Sequence, residues 1–273
     1  GITVKANGRT FVFSKKDGQL KDVSVNNRKI SFANGPRFIG ARRADRSLDQ
    51  FYNHDDEKAK AKDRTYSEFT DAAVFTKLDV KEEGGNLILT ANYKLGNLDK
   101  AQWTIHPDGM ATLDYTYNFS GVVDLMGICF DYPEEQVLSK RWLGAGPYRV
   151  WQNRIHGTQY DIWENDYNDP IPGETFTYPE FKGYFGSVSW MSIRTKEGTI
   201  SLTNETPDSY IGVYQPRDGR DRLLYTLPES GISVLNVIPP VRNKVNSTDL
   251  CGPSSQPKWV DGSQTGRLVI RFE

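Results

Sequence analysis

Apolar and polar residues alternate along much of this chain with a period of two, the spacing of a strand that buries one face. The clearest run is 110–119, where Leu113, Tyr115, Tyr117 and Phe119 alternate with Thr112, Asp114, Thr116 and Asn118. It predicts a strand with one face packed inward and the other turned to solvent or a ligand. The same reading predicts strands at Thr10–Phe13, Leu20–Val25, Ala73–Glu82, Leu87–Tyr93 and Ala101–His106. Further on it predicts Tyr184–Arg194, Thr199–Asn204, Tyr210–Tyr214, Ile232–Ile238 and Arg267–Phe272. Turn signals separate them: Lys16-Asp17-Gly18, Asn26-Asn27-Arg28, Glu83-Gly84-Gly85-Asn86 and Pro107-Asp108-Gly109.

Two stretches break the rhythm. Phe51–Phe69 is charged and weakly patterned, which predicts a long loop with a short helix. Lys140–Gly183 is rich in aromatics, glycine and proline and has little periodicity. No helical pattern exceeds two turns, and no repeat of fixed period appears. Many short strands joined by closely spaced turns predict an all-β, antiparallel two-sheet sandwich, with 1–273 as one domain.

Composition sharpens this picture in one respect. The chain holds 6 Trp, 14 Tyr and 13 Phe among 273 residues. Aromatic rings favour strands and also stack on the C–H faces of sugars, so their number leaves both uses open. A formal net charge of -1 provides no field for nucleic acid or an anionic membrane as partner. The basic run Lys58, Lys60, Lys62 and Arg64 is interleaved with alanine and acids and reads as solvated. No apolar run approaches the ~20 residues of a membrane span. The chain opens directly into strand-like sequence at Gly1-Ile2-Thr3-Val4, which predicts an internal segment or a mature chain. Cys129 and Cys251 read either as a single pair or as two buried free thiols.

The most specific stretch is Arg141-Trp142-Leu143-Gly144-Ala145-Gly146-Pro147-Tyr148-Arg149-Val150-Trp151-Gln152-Asn153-Arg154. It resembles the Trp-Leu/Phe-Gly-x-Gly-Pro-x-Glu-Asn-Tyr-x-Asp-Arg pattern in the C-terminal β-sandwich of family 2 glycoside hydrolases, the β-galactosidase group. Trp142, Gly144, Gly146, Pro147 and Arg154 match in place, while Arg149-Val150 replaces Glu-Asn. Tyr178-Pro179-Glu180-Phe181-Lys182-Gly183 is similar to a segment that follows in that group. Gly35-Pro36-Arg37-Phe38 with Arg42, Arg43, Ala44 and Asp45 loosely echoes the domain's opening. The closing region of the group, which brings an aromatic to the active site, is matched poorly by Cys251–Trp259.

The resemblance implies a supersandwich of the galactose-mutarotase type, whose concave sheet holds sugars in relatives. It implies an accessory domain beside an upstream catalytic barrel, a glycan partner, and a periplasmic or secreted parent. On the residues themselves, Gly144 and Gly146 allow positive φ and close backbone approach, while Pro147 fixes the exit. That turn is expected to place Trp142, Tyr148 and Trp151 on a common surface, with Arg154 paired to Asp161, Glu164 or Asp166. The candidate substrate-binding residues are Trp142, Tyr148, Trp151, Arg154, His156, Tyr160, Trp163 and Tyr184. A rigid aromatic loop buried in a domain contact is the competing reading.

Catalytic residues are not expected. Retaining glycosidases need two carboxylates about 5–5.5 Å apart, one of them a proton donor with raised pKa. Family 2 enzymes supply these from a (β/α)8 barrel, and this chain has no alternation of strands with long helices. Asn204-Glu205 sits in a β context and is read as a chance pair. A stand-alone sugar-acting enzyme on the same fold, an aldose epimerase or a lyase, is the alternative; an epimerase needs an acid and a base, usually His and Glu. His54, among acids, is its best candidate; His156 lies in the aromatic segment and His106 beside a turn. No cofactor is expected. A structural calcium at Asp55, Asp56 and Glu57, or at Glu164, Asp166 and Asp169, is the minority reading, since neither set has the EF-hand spacing.

Overall fold

The computed structural model describes residues 1–43, 66–166, 183–213, 228–240 and 252–273. The described residues form strands β1 (Ile2–Ala6), β2 (Arg9–Phe13), β3 (Leu20–Val25), β4 (Arg28–Ile30), β5 (Ala33–Arg43), β6 (Tyr66–Glu68) and β7 (Val74–Glu83). They continue with β8 (Asn86–Lys94), β9 (Leu98–Ile105), β10 (Ala111–Val123), β11 (Leu125–Asp131), β12 (Val137–Gly146) and β13 (Gln159–Asn165). The last are β14 (Phe185–Gly186), β15 (Trp190–Thr195), β16 (Thr199–Asn204), β17 (Tyr210–Val213), β18 (Ile232–Val237) and β19 (Lys258–Phe272). Only single 3-10 turns, at Glu134–Gln136 and Pro253–Ser255, interrupt them.

These strands make two antiparallel sheets, as the alternation predicted. The first runs β1-β2-β3-β5-β11-β18-β17-β14, with β4 beside β3 and β6 beside β5; the second runs β13-β12-β15-β16-β19-β10-β9-β8-β7. Local chemistry sets the corners. Asn26 and Asn27 both take positive φ (48° and 63°) in the two-residue turn between β3 and β4, a geometry short Asn side chains tolerate. Gly84 and Gly85 do the same between β7 and β8.

The core lies between the sheets. Phe13 and Phe130 pack edge-on against Trp103, Phe32 stacks on Phe130 at 4.5 Å, and Phe272 joins Phe32 to Phe11. Along β10, Leu113, Tyr115 and Tyr117 are buried while Thr112, Asp114 and Thr116 keep partial exposure, as their alternation requires.

A second, smaller cluster occupies the other face of the first sheet. Ile39, Ala41, Leu125, Cys129 and Leu235 belong to it, whereas Phe38, Met126, Ile128, Phe130 and Val234 belong to the main core. Alternate residues on β5, β11 and β18 therefore bury opposite faces. β11 is buried from Leu125 to Phe130, so it shows no polar alternation, and the sequence reading passed over it.

The segment Lys140–Gly183 is corrected in its first half. β12 and β13 pair in register from Lys140 with Asn165 to Gly146 with Gln159, so the first part of the motif, 141–146, lies on a strand and 147–154 follow it outside regular structure. Tyr184–Arg194 is two strands, β14 and β15, joined through a turn with Ser187 at positive φ.

Candidate functional site

The motif segment begins as β12, and its side chains divide by exposure. Trp142 is 2% exposed; its ring meets Phe185 edge-on at 4.8 Å and its Nε1 donates to the Ala145 carbonyl. Trp151 is 2% exposed and Tyr184 1%, and the two rings contact each other edge-on at 5.6 Å within the second cluster. The expectation that Trp142 and Trp151 share an open surface is therefore corrected. Their ring faces are taken up by packing, and none is left to stack on a sugar; the same holds for Tyr184.

Gly144 and Gly146 act through close approach and not through positive φ, which neither adopts. A Cβ on Gly146 would collide with the Trp163 indole, and one on Gly144 would press on the backbone of Gly186 and Val188. Trp163 is half-buried over Gly146, its Nε1 shared between the carbonyls of Gly144 and Gln159, each at 3.2 Å. Beyond the strand, Val150 exchanges both backbone hydrogen bonds with Tyr184. Buried Gln152 donates through Nε2 to the carbonyls of Ser254 and Gln256, both at 2.7 Å, tying the segment to the turn before β19.

The remaining candidates face solvent. Tyr148 is 62% exposed and Tyr160 58%. Arg154 and His156 are also exposed. The expected pairing of Arg154 is corrected: it has no ion pair among the described residues; Asp161 and Glu164 lie on the exposed edge strand β13, Asp166 just beyond it, and Arg154 is fixed by a backbone bridge to Trp151.

The exposed half of the segment walls a cleft of about 570 Å³. Ala145, Val150, Ile155 and Thr158 form one side; Ser187–Ser189 and the turn 204–210 form the other, with Asn236 and Lys258 also lining it. The exposed Tyr160 bonds the lining residue Ser189, its hydroxyl 2.6 Å from Ser189 Oγ. The turn is internally braced, since Asn204 Nδ2 bonds Ser209 Oγ and the Val188 carbonyl while Thr206 N donates to Asn204 Oδ1. Asn204-Glu205 is thus a turn-forming pair, which accounts for its place in the sequence. Beneath, Tyr117 Oη donates to Asn236 Oδ1 at 2.6 Å, and the Tyr115 hydroxyl lies 3.5 Å from Thr206 Oγ1. Burial pushes Tyr115 up to about 12, the Thr206 bond opposing it. Burial, then the nearby Asp208, raises Tyr210.

Two carboxylates line the cleft, Glu205 and Asp208, both exposed on the same turn. Among the described residues no histidine hydrogen-bonds a carboxylate: His106 is held by Asn86 and Thr112, and His156 lies open. His54, the acids Asp55, Asp56, Glu57 and Asp169, and Tyr178–Lys182 lie outside the described residues. Among those described, no group of three acid, His or Cys side chains is arranged to hold a metal ion. Cys129 is a free, buried thiol, and Cys251 lies outside. One exposed aromatic was absent from the candidates: Trp259, 70% exposed on β19. A lone indole in a polar context carries no periodic signal, so only its exposure reveals it.

The family described as "Beta galactosidase small chain" matches residues 5–236, most of the chain. The chain belongs to this family. Among solved structures, galactose 1-epimerase from Lactobacillus acidophilus NCFM superposes with a TM-score of 0.53 at 9% identity, covering 99% of this chain and 93% of that one. That likeness shows a galactose-mutarotase-type fold for this small-chain domain. An alpha-N-acetylgalactosaminidase from Bifidobacterium bifidum aligns at TM-score 0.49 and 11% identity; the small-chain domain spans 36% of that enzyme's length. A putative aldose 1-epimerase from Escherichia coli K12 aligns at 0.46 and 12% identity, covering 100% of this chain and 98% of that one. No curated protein sequence matches.

Proposed function

We propose that this small-chain domain is an accessory β-domain of a larger β-galactosidase-type glycosidase, holding glycan in the cleft beside β12 and β13 without cleaving it. The observation that carries this reading is the lining of that cleft: hydroxyls and amides from Thr158, Ser187, Ser189, Asn204, Ser209 and Asn236, with Tyr210 in the wall and the Tyr160 hydroxyl bonded to Ser189 at its edge. Hydroxyl and amide groups match a sugar's own donors and acceptors, and a phenol ring matches its C–H face. The volume suits one or two sugar rings.

The non-catalytic part follows from environment. A glycosidase acid needs burial or a close like charge to hold its proton near neutrality. Glu205 and Asp208 are both open to water, with nothing to differentiate them as acid and nucleophile. On this reading the hydrolytic carboxylates sit on a separate barrel of the same parent, which works outside the cytoplasm.

Glycan-array screening of the chain, together with an aryl β-galactoside turnover assay, tests the proposal. Binding of galactose-terminated glycans with no turnover is expected. Turnover lost on Glu205→Gln would overturn the accessory reading, and an array without any bound glycan would overturn the cleft.

A further inference from the structure

A second groove, of about 640 Å³, lies on the opposite flank of the molecule, between the β2–β3 turn, β5, the segment after β6, and β7 to β9. In the second sheet β10 lies between β7–β9 and β19, which contributes Lys258 to the first cleft. Its wall is aromatic. Phe75 meets Tyr93 edge-on at 5.9 Å, and Phe69 and Phe38 both pack on Phe119, at 5.5 and 6.1 Å. Phe69, Phe75 and Tyr93 all retain partial exposure.

Three polar groups of the groove, Asp17, Asp71 and Arg37, are braced from behind. The Asp17 carboxylate takes Gln19 N and the Lys21 ammonium, while its carbonyl accepts from Tyr93 Oη at 2.7 Å. Asp71 accepts three backbone N–H groups, from Ala73, Asn97 and Leu98. The Arg37 guanidinium is anchored by Asp131 at 2.8 Å and by the Asn34 carbonyl. Side chains fixed in this way lose little further freedom when a ligand arrives.

We propose that this groove is a second saccharide site, taking a neutral pyranose ring. The ligand class follows from three properties together. A purely apolar ligand would strip water from Asp17, Arg37, Glu68 and Asp71 without replacing it. A strongly charged ligand finds little net field, because Lys16 and Arg37 against Asp17, Glu68 and Asp71 leave the groove with a net charge of only -1. A sugar ring has one C–H face for the aromatic wall and vicinal hydroxyls for planar carboxylate and guanidinium groups. The inference stands on residues separate from the first cleft. It makes the domain bivalent toward a glycan, with avidity beyond either site alone.

Amide NMR titration of the full chain with lactose tests it. Two disjoint sets of resonances are expected to shift, one at Ser187–Ser189 and 204–210, the other at Asp17–Gln19, 68–73 and Tyr93. Glu68→Gln, at an exposed position, is expected to weaken only the second isotherm, by up to about tenfold for one hydrogen bond to a charged group. Shifts confined to the first set overturn the second site and leave the first standing. Shifts in neither set overturn both. Shifts in the second set with glucosamine but not with lactose overturn the neutral-ligand class.

Discussion

The segment from Trp142 to Trp163 has two halves that resemble each other in composition and differ in environment. Trp142 and Trp151, like Tyr184 across from them, have their rings locked edge-on in cores. Tyr148 and Tyr160, a few residues away, stand more than half exposed, and the Tyr160 hydroxyl bonds Ser189 in the lining of a cleft of hydroxyls and amides. Aromatic content is therefore no guide to sugar contact by itself. What separates the halves is the pairing of β12 with β13 and β15, which turns Trp142 inward, and the Val150–Tyr184 bridge, which holds Trp151 under the sheet.

If the buried half is structural, its truncation should be the most damaging change. Trp151→Ala or Trp142→Ala is expected to lower unfolding stability by about 3–5 kcal/mol, as large aromatic deletions in cores do, read from the midpoint of urea unfolding. A loss under about 1 kcal/mol would mean that these rings are not packed as described.

Cys129 lies in the same cluster as Trp151, and the alkaline limb of stability reports on that cluster. Burial pushes its thiol up to about 11, partly offset by Arg37. The unfolded chain releases this proton near 9 while the folded chain keeps it, so stability is fully present below 9 and is lost as pH rises toward about 11. The loss expected from this thiol is on the order of 2 kcal/mol, and the fall in urea midpoint across that range should be smaller by that amount in Cys129→Ala, the buried tyrosines such as Tyr115 and Tyr117 adding their own loss above about 10 in both chains. The thiol should also resist alkylation at neutral pH until the chain unfolds.

Gly146 is the contact between the halves, since its missing side chain leaves room for Trp163. Gly146→Ala is expected to cost about 1–3 kcal/mol through overpacking and to raise Trp163 fluorescence sensitivity to quenchers. The exposed half should behave in the opposite way. Tyr160→Ala should change thermal stability by no more than about 0.5 kcal/mol, the range for surface positions, while removing the hydroxyl contact to Ser189 at the cleft's edge.

Much of the fold was legible in the residues because one-sided strands announce themselves. β10, β16 and β17 fall within a few residues of the alternation read for them, and the Asn26-Asn27 and Gly84-Gly85 turns sit at the predicted corners. β11 was hidden because Leu125–Phe130 is buried on both faces, which erases the period-two signal. β12 was hidden by its glycines and proline, which read as a turn although Gly144 and Gly146 serve close packing within a strand. The candidate site was legible only as a neighbourhood. The sequence points to the Trp142–Arg154 motif, yet the opposite wall, Ser187–Ser189 and 204–210, comes from distant strands, and no local pattern marks residues that meet only through sheet pairing.

The contrast between the two halves rests on one separation, between what holds the domain together and what is proposed to hold glycan. Calorimetric titration of lactose into the wild-type chain and into Tyr160→Ala measures it directly. Saturable heat in the wild type, at least tenfold weaker in the variant with its melting temperature unchanged, is the predicted result. Equal affinity in both chains, or no heat in either, would contradict it.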